Sequence, residues 1–293
     1  MLRGWPQLYR LRGGPTVIAE SNTYAEDLAE WRADAEQALR AEDGWLALAG
    51  LFWLSEGLNR VGSDPAGDLA LPDDLAPPLM AEVWLREGAV SLGAAHPALT
   101  LNGEAPEGRP LRSDSDPAPD TVTLGRLSML VIRRGARIGL RLRDRDHPAR
   151  ASFAGRVWYP PQPEFRVTAT FAPHAEPKTL LISTIIGEVE EQRSPGAVVF
   201  QIGGEECRLE AASAGGGLFF NFRDATSGKA TYPPGRFLKA DAPQGGKVLL
   251  DFNQAYNPPC AFTPFATCPL PPPQNILKVA ILAGERSPAD HPA

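Results

Sequence analysis

Hydrophobic positions along this chain change period once. Tyr24, Leu28, Trp31, Ala35 and Leu39 recur at helical spacing, whereas from Trp45 onward apolar and polar residues alternate in short runs. The first pattern predicts an amphipathic helix over residues 23–43, opened by Thr23 and Glu26 at capping-box spacing and stopped at Gly44. A lone helix of this length is marginal in water, so Leu28 and Trp31 are expected to pack on a neighbouring sheet. The second pattern predicts strands at 45–54, 68–71, 79–86, 89–92, 98–101, 121–124, 127–133 and 136–143, with hairpin turns at Glu87-Gly88 and Asn102-Gly103. Further on, strands are expected at 166–171, 178–182, 187–192, 197–202, 205–210, 218–222, 247–252 and 277–282, with Gly203-Gly204 closing one hairpin.

The polar, proline-broken stretch from Asp144 to Arg150 reads as a corner between two domains. The expected fold is therefore mainly β: a helix at 23–43, a β-sandwich over 44–146, and a second antiparallel barrel or sandwich over 147–286. Residues 1–22 and 287–293 are expected to be tails. The run from Leu249 to Gly284 lacks any period but holds Phe252, Tyr256, Phe262 and Phe265 among many prolines, which predicts a long ordered loop.

Composition narrows the class. In a chain of 293 residues, 30 prolines and 28 glycines fall between apolar runs, as turn punctuation for many strands. A formal charge of -6 gives no basic footprint for nucleic acid, and no apolar run is long enough to span a membrane. The arginines at 137, 141, 143 and 145 alternate with Ile138, Leu140 and Leu142, the pattern of a strand with one wet face. Three cysteines are too few and odd in number for a secreted disulfide framework, and the first twenty residues lack a secretory core. A cytoplasmic location is the expectation.

Two family resemblances bear on the fold. The order Gly62-Ser63-Asp64, Gly67 to Pro72, Leu101-Asn102-Gly103 and Leu124-Gly125 resembles a degenerate forkhead-associated domain over about a hundred residues. That resemblance implies a sandwich. It does not bring the family's phosphopeptide site, because Ser63 and the segment Ala76 to Met80 stand where phosphate-binding side chains are needed. The chain from about Tyr24 to Glu285 also resembles an uncharacterised prokaryotic family, domain of unknown function 1684. Asp43 to Leu46, Gly50 to Leu54, Gly155 to Pro160 and Asp224 to Gly228 with Thr231-Tyr232 carry it. So do Leu250 to Asn253, Tyr256 to Cys260, Cys268 to Pro272, Asn275 and Gly284-Glu285. The resemblance implies an architecture and no activity.

Candidate chemistry lies in the second β-region. Cys260 and Cys268 are too far apart for a CxxC motif, no histidine shares their loop, and His96, His147 and His174 are scattered, so neither a metal nor a cofactor is expected. Buried thiols and a disulfide clip both remain open. The segment Arg223 to Lys229 lacks Walker spacing and reads as a turn in which Asp224, Thr226 and Ser227 bond local backbone. Asp251 is expected to pair with Arg223 or Arg236, either as a loop staple or as part of a site. Arg156, Tyr159, Arg223, Asp224, Tyr232, Arg236, Asp251, Asn253, Tyr256 and Asn257 are the candidate ligand-binding residues, for a small anionic or amphipathic molecule. A metal-independent hydrolase or lyase is the competing expectation, with Glu188 or Asp251 as general base and an arginine stabilising developing charge. A scaffold that docks another protein is the third.

Overall fold

A computed structural model describes residues 21–106 and 108–288. The expected tails lie mostly outside the described residues. Helix α1, Ser21–Arg40, starts two residues before Thr23, so Thr23 and Glu26 lie inside it. It also stops short of Gly44, whose φ of -72° is not the left-handed value of a glycine cap. Arg40 closes the end: its guanidinium donates to the Arg150 and Phe153 carbonyls, and its own carbonyl accepts from Arg150 Nε. The chain divides into two compact units, one holding α1 to Leu39 together with Ala154 onward, the other running from Arg40 to Phe153.

Among the described residues, the Arg40–Phe153 unit contains nine strands. They are β1 (Leu48–Trp53), β2 (Gly57–Gly62), β3 (Leu69–Ala70), β4 (Ala81–Arg86), β5 (Ala89–Ala95), β6 (Thr100–Leu101), β7 (Thr121–Leu124), β8 (Leu127–Arg134) and β9 (Arg137–Asp144). One sheet has the order β1-β9-β8-β7-β6 and the other β3-β2-β4-β5, and all pairs are antiparallel except β2 with β3. Val61, Met80 and Val83 share one core with Leu127, Val131 and Leu140. The hairpin turns fall where Glu87, Gly88, Asn102 and Gly103 adopt positive φ. Sequence alternation overlooked β2 because Asn59 occupies a buried position there; its amide is satisfied by Ser55, Gly57 and Val83. The expected wet face of β9 is a correction. Arg141 is fully buried above Trp45, at 5.2 Å from the ring centroid, and Arg143 is pushed below its ordinary pKa by burial.

The other unit holds a single curled, half-barrel sheet. Its strands are β10 (Arg166–Ser183), β11 (Val189–Ile202), β12 (Glu205–Ala214), β13 (Gly217–Phe222), β14 (Arg236–Ala240) and β15 (Lys247–Asp251), ordered β14-β13-β12-β11-β10-β15 and antiparallel throughout. Four expected strands fuse into two. The gaps between them, which hold Pro173, Pro177 and Pro195, include an irregularity inside the β10–β11 ladder, where proline's missing N–H is tolerated. At that irregularity Gly196 has φ +159°, and a Cβ there would lie 2.5 Å from the Ala172 carbonyl oxygen. The expected strand at 277–282 pairs with no strand. Leu277 and Val279 bond the Arg223 and Ala225 backbone, and the Ile281 carbonyl accepts from the Arg236 side chain. An arginine fork takes the place of a strand partner.

Candidate functional site

Alternation gives the half-barrel two faces. Val198, Phe200, Leu209, Phe220, Phe222 and Leu238 point into the aliphatic and aromatic core. Their strand neighbours Ala197, Glu210, Phe219, Asn221, Phe237 and Lys239 therefore point to the second face. The proline-rich loop covers that face. Asn221 Nδ2 donates to the Pro269 carbonyl at 2.8 Å, the Leu270 N–H donates to Ser183 and the Ile185 N–H donates to the Cys268 carbonyl.

The bulge in β10 and β11 aims a polar group of side chains at this covered face. Glu210 Oε1 accepts from Ser194 Oγ at 2.5 Å and bonds His174 Nε2. Ser194 is fully buried, while the His174 side chain keeps 10% of its surface exposed. Two residues along β11, Gln192 lies on the same side of the strand as Ser194. Its Nε2 is buried with no hydrogen-bond partner among the described residues. Asn275 clips the strands beneath: its Oδ1 accepts from the Glu210 N–H at 2.7 Å, and its Nδ2 donates to the Glu210 and Asn221 carbonyls. Burial lowers the pKa of Lys239 on β14.

The residues expected from sequence fall into knots outside this cluster. Arg236 and Asp224, both side chains at 0% exposure, pair at 2.8 Å, and the guanidinium also donates to the Ile281, Ala283 and Glu285 carbonyls. Asp224 Oδ1 accepts from the Thr226 N–H and hydroxyl, the local turn expected there. Arg156 pairs with Glu285 at 2.6 Å, and the same carboxylate oxygen accepts the Asn257 N–H. Burial raises the pKa of Glu285 against the opposing pull of Arg156. Asp251 meets neither Arg223 nor Arg236, which corrects the expected pairing. Its two oxygens accept from Tyr24 Oη at 3.0 and 2.8 Å, its Oδ1 from the Asn253 N–H, and Arg166 stands at 4.0 Å. Burial raises the pKa of both Asp251 and Tyr24. The helix supplies the partner that sequence sought among the arginines.

Residues 151–286 match the model of a family described as a protein of unknown function, DUF1684. Over those residues the chain is similar to this family. A solved structure, the solution NMR structure of an uncharacterized protein from Haloarcula marismortui, is 34% identical, covers 48% of this chain and 81% of its own, and superposes with a TM-score of 0.41. No curated protein matches. Among the described residues, no helix is long and apolar enough to cross a membrane, and no group of three or more histidine, cysteine or acidic side chains could hold a metal ion.

Within the DUF1684 region the remaining candidates have backbone or ring roles. Tyr159 donates its N–H to the Gly284 carbonyl, and Arg286 lies over its ring. Tyr256 pairs backbone to backbone with Phe237 and meets the Trp31 and Phe237 rings edge-on. Asn253 brackets Gln162 through both its Oδ1 and Nδ2, Asn257 Nδ2 donates to the Arg286 carbonyl, and Arg223 is exposed. Glu188 sits in the β10–β11 turn, its N–H donating to Thr184 Oγ1. Tyr232 Oη donates to the Cys260 carbonyl at 2.9 Å. Sequence reading missed His174, Gln192, Ser194 and Glu210. The available signal was Pro173, Pro177 and Pro195-Gly196 interrupting two neighbouring strands, since a bulge re-aims side chains.

Proposed function

We propose that the DUF1684 region binds a small anionic or amphipathic molecule against the loop-covered face of the half-barrel. One observation carries this reading: the buried, unpartnered Gln192 Nε2 beside the Ser194–Glu210–His174 cluster. A buried donor without an acceptor costs roughly 1–3 kcal/mol, and an acceptor oxygen on a ligand recovers it. The half-buried Lys239 adds positive charge on the same face, while Phe219 and Phe237 supply apolar area for an alkyl or ring portion. Arg236 and Asp224, by contrast, serve as internal staples. Hexanoate and acetate are suitable probes, because they share a carboxylate and differ in apolar length.

Saturation-transfer NMR is expected to show contact with hexanoate more strongly than with acetate. Gln192→Leu should abolish the signal while raising Tm, since it removes the orphaned donor. A hexanoate signal that survives Gln192→Leu would refute this placement. Absence of any hexanoate signal, together with no co-purifying mass in native mass spectrometry, would refute binding at this face.

A further inference from the structure

The two cysteines of the proline-rich loop meet although seven residues separate them in the chain. Cys260 lies in the 3-10 turn Pro259–Ala261, and its N–H donates to Cys268 Sγ at 3.2 Å. The Tyr232 hydroxyl donates to the Cys260 carbonyl beside them. Neither is in a disulfide. We propose that Cys260 and Cys268 form a dithiol site that a small peroxide oxidises to a disulfide.

Cys260 is the attacking sulfur. It is 9% exposed, and Cys268 lies deeper. The neighbouring Cys268 and Tyr232 side chains lower its pKa, with burial opposing them. The Cys260 thiolate attacks one peroxide oxygen, the O–O bond breaks, and hydroxide leaves with a sulfenic acid on Cys260. The Cys268 sulfur then attacks the Cys260 sulfur, the S–O bond breaks, and water leaves with the Cys268 proton. Two thiols and one hydrogen peroxide thus yield one disulfide and two waters, with two electrons passing from sulfur to oxygen. The Cys260 N–H already stands 3.2 Å from Cys268 Sγ, so the second step joins neighbouring residues instead of gathering distant loops.

Cys207 on β12 is an internal control. Burial and Glu205 raise its pKa, which suppresses its thiolate.

The full chain would be treated with hydrogen peroxide, denatured, alkylated and mapped by mass spectrometry. The expected product lacks two hydrogens, carries alkyl only on Cys207, and regains two alkylatable thiols after dithiothreitol. Cys207→Ser should give the same bridge. Cys268→Ser should give no bridge and leave sulfenic or sulfinic acid on Cys260. Three alkylatable cysteines after peroxide, a bridge that includes Cys207, or a bridge between two chains would each overturn the proposal. This test is independent of the ligand reading, because neither thiol takes part in it.

Discussion

The two units bury charge in different ways. In the Arg40–Phe153 unit several pairs bury only the carboxylate while the arginine reaches water: Asp120 is sealed by Arg109 and Arg112, and Asp144 by Arg126, whose side chains are partly exposed. In the DUF1684 unit both members of a pair leave solvent, as with Arg236–Asp224 and Arg156–Glu285. Water screens the first kind, so each pair contributes little beyond pinning a loop. The second kind cannot be justified by net stability, since desolvating two ions offsets most of their attraction. Its effect is positional: the Arg236 fork holds three carbonyls of the segment after Val279. The same unit also turns its second sheet face toward an irregular loop and buries polar side chains there.

The sharpest way to break this contrast is Arg236→Leu. It leaves Asp224 buried without its cation and three carbonyls without their donor, and removal of one partner from a buried pair costs about 3–5 kcal/mol. Urea unfolding should show that loss in the midpoint at unchanged slope. A cost near zero would mean that the pair behaves like those of the other unit. Asn275→Ala comes next. Its amide makes three bonds to the Glu210 and Asn221 backbone, so losing it should cost about 2–3 kcal/mol. It should also loosen the Ser194–Glu210–His174 cluster, visible as faster amide exchange at Glu210.

The legible part of this fold was what periodicity encodes. Leu28, Ala35 and Leu39 announced the buried side of α1, and the residues of β7 were bounded correctly by alternation alone. Turn chemistry was equally readable at Asn102-Gly103 and at Asp224 with Thr226. Where a buried polar group replaced an apolar one, the reading failed. Asn59 hid β2, Arg141 was taken for a wet position, and Arg236 hid β14. The candidate site failed for a related reason. Its members come from three strands and meet only because a bulge turns Ser194 toward Glu210, and the Asp251 partner is Tyr24, 227 residues away in sequence. No local pattern records a contact made by the curl of a sheet.

Acid titration should separate the units by sign. Arg109, Arg112 and Asn102 hold Asp120 far below the ordinary carboxylate range. A depressed folded pKa gives stability that is present above the unfolded value, about 3.9, and lost as pH falls below it. Burial holds Asp251 and Glu285 above their ordinary values. A raised folded pKa gives stability that is present below the unfolded values, about 3.9 and 4.3, and lost as pH rises through the folded ones. Lowering pH from 7 toward 4.5 should therefore firm the DUF1684 unit and leave the other unchanged. Below about pH 4 the Arg40–Phe153 unit should weaken, by about 1 kcal/mol from Asp120 after allowance for its half-exposed arginines. Peptide-resolved hydrogen exchange, corrected for intrinsic rates, reads both units in one sample. Asp120→Asn should flatten the acid arm of one unit, and Glu285→Gln the neutral arm of the other. If both units weaken together on acidification, the sign assigned to the buried Asp251 and Glu285 is wrong, and they are held as charges by their partners in the manner of Asp120.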